Sequence, residues 1–123
     1  MMNLNKVLEV LNNGDYVKIE EYNYTSKLCP HSESRYTVTL KEGGMIRITQ
    51  LISLFGIFYR ISLFVPNEEK SVKSWTFDKQ RKGWLSRKTI KDSLYDEVSS
   101  TFYNLYYKVS QEKIYEYSKY FPQ

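Results

Sequence analysis

The chain has 123 residues, a formal net charge of +4 and one cysteine, enough length to bury the core of one domain without disulfides or metals, so residues 1–123 are expected to form a single domain. Its most apolar stretch, Leu51 to Val65, is shorter than a bilayer span and contains Arg60, which excludes a membrane-crossing helix. Cys29 alone excludes an internal disulfide and a paired-thiol zinc knuckle, and the acidic, amphipathic start does not read as a secretory leader, so the expected setting is the reducing cytoplasm.

Asn3 to Asn12 spaces Leu4, Val7, Leu8 and Leu11 for a short amphipathic helix, stopped by Asn12-Asn13-Gly14-Asp15. Tyr16 to Tyr24 and Arg35 to Leu40 alternate as two antiparallel strands, and the polar stretch Thr25 to Ser34, with Cys29-Pro30-His31, is expected to be a surface loop. Lys41-Glu42-Gly43-Gly44 signals a turn before a third strand, Met45 to Thr49. Gln50 to Phe55 fits either a continuation of that strand or a short helix closed by Gly56, with the helix favoured. Ile57 to Val65 alternates as a central strand, and Ser71 to Asp78 reads as its hairpin partner beyond Pro66-Asn67.

A long helix is expected from about Thr89 to Tyr120, with Thr89 and Asp92 at the ends of a capping box. Its stripe is Ile90, Leu94, Val98, Phe102, Leu105 and Val109, and tyrosines widen it beyond the roughly 100° that one-sided burial needs. The expected class is therefore α+β: an antiparallel sheet of four to five strands with a short N-terminal helix and a long C-terminal helix.

Motifs for catalysis are missing. Gly43-Gly44 lacks the rest of a phosphate-binding loop, His31 is the only histidine, and Glu20-Glu21, Glu68-Glu69 and Asp96-Glu97 are contiguous pairs whose members point to different faces. The expectation is a non-enzymatic protein with no metal and no cofactor. A metal-dependent nuclease would have to assemble Asp15, Glu20, Glu21 and Asp78 in the fold.

Charge supplies the positive signal. Residues 1–45 carry five basic and six acidic side chains, 46–92 carry ten and four, and 93–123 carry three and four, so the excess lies in the middle at 10 − 4 = +6. There Lys79, Arg81, Lys82, Arg87, Lys88 and Lys91 interleave with Trp75, Phe77 and Trp84. Cations that displace counterions from phosphates, beside rings that stack on bases, suit a nucleic-acid surface. The expected binding set is thus Trp75, Lys79, Arg81, Lys82, Trp84, Arg87, Lys88 and Lys91, and the expected partner is RNA, DNA or a nucleoprotein. Lack of alanine indicates AT-rich coding, and a phage or mobile-element inhibitor of a host nucleic-acid machine, anti-CRISPR-like, is the concrete form expected. The alternative is a protein-protein or homodimeric module, such as an immunity protein or adaptor, using Tyr95, Tyr103, Tyr106 and Tyr107 of the long helix.

Cys29-Pro30-His31 ahead of Tyr36-Thr37-Val38-Thr39-Leu40, with Arg87-Lys88 to Lys91 at a helix entry, resembles the double-stranded RNA-binding domain over roughly residues 20 to 45. The chain departs from that pattern in the missing glycine, in the His-to-aromatic spacing and in some thirty residues before the basic helix. No residue roles are carried over.

Overall fold

The computed structural model describes residues 2–27, 31–66, 71–78 and 92–120. The elements follow as α1 (Leu4–Asn13), β1 (Lys18–Ser26), β2 (His31–Thr39), β3 (Met45–Ser53), β4 (Gly56–Phe64), β5 (Lys73–Asp78) and α2 (Asp92–Tyr120). The strands form an antiparallel sheet in the order β1-β2-β3-β4-β5, each strand beside its sequence neighbour. This is the expected α+β class, with five strands.

In α1, the Asn3 side chain accepts from the Lys6 backbone N–H at 2.9 Å, and Gly14 ends the helix in the left-handed region at φ 74°, where a side chain would be strained. The helix buries Val7, Leu8, Val10 and Leu11. The β2–β3 turn uses Gly43 and Gly44, both at positive φ, and a Cβ on Gly44 would lie 2.8 Å from the Phe64 carbonyl oxygen. Only glycine fits there.

Side chains alternate across a strand, so the register sorts the sheet into two faces. One face carries Ile19, Tyr36, Val38, Ile46, Ile48, Tyr59, Ile61, Leu63, Trp75 and Phe77, and these join α1 and α2 in one core with Tyr95, Val98, Phe102, Leu105 and Val109. Both helices lie on that side. The stripe expected for α2 is thus its buried side from Leu94 onward; Ile90 and the Thr89 cap lie outside the described residues.

Two expectations are corrected. Gln50 to Ser53 continue β3 instead of forming a helix, and only Leu54 and Phe55 turn before Gly56. Gln50 tolerates a core-facing place because its Nε2 donates to the hydroxyls of Tyr59 at 2.9 Å and Tyr103 at 3.0 Å. The Thr25 to Ser34 loop is also shorter than expected: Thr25 and Ser26 end β1, paired with Ser32 and His31 of β2. Backbone pairing extends this hairpin past the last apolar alternation.

Phe102 is nearly fully buried, and its ring meets Tyr36 at 5.2 Å and Tyr59 at 5.7 Å between centroids. Phe102→Ala is expected to lower unfolding free energy by about 3 to 5 kcal/mol, read as a fall in the urea midpoint with an unchanged slope. Gly44→Ala, which meets backbone, is expected to destabilise more than Gly56→Ala, where a Cβ meets nothing within 4 Å.

Candidate nucleic-acid interface

The second face of the sheet has no helix on it among the described elements. Its residues are the alternates of the core positions: Tyr22, Arg35, Thr49, Arg60 and Thr76 form one cross-strand row, with Glu20, Thr37, Arg47, Ser62 and Ser74 beside it. Arg35, Arg47 and Arg60 are all the arginines among the described residues, and all three fall on this face, on the central strands β2, β3 and β4. Arg35 and Arg60 flank Thr49 in its row, while Arg47 precedes it by two residues on the same strand. The three cations surround one threonine.

Thr49 and Ser62 are only 7% and 8% exposed although no helix covers them. Both are short side chains with longer cross-strand neighbours, Arg35 and Arg60 beside Thr49 and Arg47 beside Ser62, and long side chains of this kind bury their methylenes along the surface while keeping the charged end in water. Arg35 places its guanidinium over the Tyr22 ring, 4.1 Å from the centroid, and Arg47 places its own over Phe64 at 4.8 Å. Arg47 Nε also donates to the Thr37 hydroxyl at 3.2 Å. These contacts hold the two groups in place.

None of the three arginines makes an ion pair among the described residues, and the buried Nε of Arg35 has no hydrogen-bond partner. Burial, and then the like charge of Arg35, hold the Arg47 guanidinium below its usual pKa, with Glu33 opposing the shift. Three carboxylates share this face: Glu20, paired with Lys18 at 2.6 Å, stands in the row of Arg47, and Glu33 and Asp78 belong to the next row, with Tyr24, Leu51 and Phe58. Planar cations clustered without direct ion pairs among the described residues suit phosphate or carboxylate oxygens, which guanidinium binds in bidentate geometry.

Of the residues expected from the sequence to bind, Lys79, Arg81, Lys82, Trp84, Arg87, Lys88 and Lys91 lie outside the described residues. Trp75 belongs to the helix-covered face, half-buried against the core, with the Lys73 ammonium 5.0 Å from its ring centroid. It therefore sits on the side opposite the arginines. Tyr95 is an inward residue: it is 8% exposed, its hydroxyl donates to the Ile57 carbonyl at 2.7 Å, and burial pushes its pKa up to about 12. Tyr103, Tyr106 and Tyr107 are exposed and meet edge to face in sequence, at 6.3 and 5.5 Å between centroids.

Glu20 and Glu21 point to opposite faces, and Asp78 is on the far edge strand, so the carboxylates weighed for a nuclease do not gather. Among the described residues no group of three or more His, Cys, Asp or Glu could hold a metal ion. An open cleft of about 280 Å³ at the hairpin ends is lined by Thr25, Ser26, His31, Ser32, Ile52, Ser53 and Leu54. Compared with protein-family models, with curated proteins and with solved structures, the chain has no significant match.

Glu21, on the helix side, ties β1 to α2. Its carboxylate accepts from Tyr36 at 2.7 Å and Lys113 at 2.5 Å. Burial alone would raise its pKa, but the bonds from Lys113, Tyr36 and Asn23 and the Lys113 charge together hold it below 4.5. A depressed folded-state pKa contributes stability that is present above the unfolded value and disappears as pH falls through the folded one. The stability of Glu21→Gln is accordingly expected to decline less than that of the parent below pH 4.5, measured by urea unfolding across that range.

Proposed function

We propose that this chain is a non-enzymatic nucleic-acid-binding protein that docks on RNA, DNA or a nucleoprotein through the open face of its sheet. The observation that carries this reading is the cluster of three arginines around Thr49, free of ion pairs among the described residues, on a face no described element covers. Exposed Tyr22 and Tyr24 on the same face add rings beside the cations. The basic segment from Lys79 to Lys91 follows β5 directly in the chain and contributes further phosphate contacts. The setting is the cytoplasm, and the biological form is an inhibitor of a host nucleic-acid machine such as a phage or mobile element carries.

Binding of labelled RNA and DNA at about 50 and about 200 mM salt tests this. The parent is expected to bind, and to weaken as salt rises. The triple variant Arg35→Gln, Arg47→Gln, Arg60→Gln is expected to bind at least about tenfold more weakly, with a log–log salt slope shallower by about 2. A second variant neutralising Arg81, Lys82, Arg87 and Lys88 separates the basic segment from the sheet. No binding at low salt, or a triple variant that binds as the parent does, overturns the reading.

The tyrosine series favours a second reading, a protein-protein or homodimer interface on α2. Tyr106 and Tyr107 are 45% and 61% exposed, and Ile114 further along is 68% exposed. Sedimentation of the parent against Tyr106→Ala with Tyr107→Ala is expected to show a dimer that the variant loses. A monomeric parent, or an unchanged dimer, removes homodimerisation through this face.

A further inference from the structure

We infer that the ligand of the open face is single-stranded nucleic acid, with its phosphates on Arg35, Arg47 and Arg60 and unstacked bases against Tyr22 and Tyr24. The inference rests on the reading of this face as a nucleic-acid interface and adds the state of the strand. Three features separate a single strand from a duplex.

The first is width. Five strands at about 4.8 Å spacing span about 19 Å between the outer two, whereas the major groove is about 12 Å wide and admits a helix or a two-stranded ribbon. The arginines lie on the central strands β2, β3 and β4, with a further strand on either side, so the sheet cannot carry them into that groove. A duplex would meet this face only along its phosphate ridge.

The second is the placement of the rings. Tyr22 and Tyr24 project from the same side of edge strand β1 and are 45% and 47% exposed. Two residues apart on a strand, they are separated by about 6.8 Å, twice the roughly 3.4 Å rise between stacked bases. Rings at that interval address bases that have come apart, which paired and stacked bases have not. Base-aromatic stacking of this kind is tolerant of sequence.

The third is adjacency. Tyr22 stands opposite Arg35 in the register and holds the guanidinium over its ring at 4.1 Å. Arg35 takes one side of the ring and Tyr22 remains 45% exposed, so this pair leaves ring surface for a base beside a phosphate ligand, and Arg60 continues the same row two strands on. A nucleotide presents both a base and a phosphate, so the pair matches one repeat of a single strand.

Anisotropy with labelled oligomers of about 12 nucleotides, within the site sizes of single-strand-binding OB folds, tests the inference. The arms are single-stranded RNA, single-stranded DNA of the same sequence, and the DNA duplex. Single strands are expected to bind at least about tenfold tighter than the duplex. Tyr22→Leu with Tyr24→Leu is expected to weaken single-strand binding by about fivefold or more with an unchanged salt slope, while Tyr22→Phe with Tyr24→Phe retains it. Circular dichroism checks that each variant folds.

A duplex that binds as tightly as the single strands, or a leucine pair that binds as the parent does, overturns the inference and leaves the nucleic-acid reading standing. Absence of binding in every arm at low salt overturns both. The comparison of RNA with DNA shows whether the sugar is read.

Discussion

Among the described elements, burial on one side of the sheet governs the architecture. Both helices pack on the same face of a five-stranded sheet, joining one core that includes Val7, Leu8, Ile48, Ile61, Val98 and Phe102. Every strand must therefore send its apolar alternates one way, and the other alternates form a second surface whether or not they pack. Arg35, Arg47 and Arg60 cluster because they occupy those other positions on three adjacent strands. A slip of one residue in the β2–β3 or β3–β4 register would both break the core and scatter the cations. Stability and the candidate interface thus depend on the same pairing.

The rotation of α2 over the sheet is set by polar contacts inside that core. Gln50 bonds to Tyr59 and Tyr103, and Tyr59 also meets the Ser99 hydroxyl at 2.9 Å. Tyr95 donates to the Ile57 carbonyl, and Thr101 bonds both to Glu97 of its own helix and to Asn12 of α1. Buried polar groups of this kind are tolerated only when satisfied, and their directional geometry specifies one arrangement over others that would bury similar area. With Tyr95, Ser99, Thr101 and Tyr103 held, Tyr106 and Tyr107 are left facing outward.

Elements with strong periodicity were legible from the sequence: α1 with its Asn3 start and Gly14 stop, the alternating β4, and the buried stripe of α2. Gln50 to Phe55 was not, because a glutamine at a core-facing position looks like a break in the strand until its partner Tyr103, brought in by α2, is known. Thr25 to Ser34 carries no apolar alternation, yet Thr25 and Ser26 pair with Ser32 and His31. Trp75 had a usable signal: it shares the parity of Phe77, so both had to face the same side of β5. The arginine cluster was hidden, since Arg35, Arg47 and Arg60 lie on different strands and become neighbours only through register. Charge density along the chain pointed instead to the segment after β5, which the described residues do not include.

The strand order has a kinetic consequence. Each strand pairs with the one before it, so the sheet can grow hairpin by hairpin through closures of few residues, and each costs little chain entropy. The contacts between the helices are of another kind: Asn12 reaches Thr101 and Asn104, 89 and 92 residues further along the chain. Such distant contacts are slow to form and are rewarded late. A growing sheet would hold its apolar face exposed until α2 docks on it, so during synthesis this protein is most vulnerable to sticking to its neighbours after β5 has emerged and before α2 (Asp92–Tyr120) has.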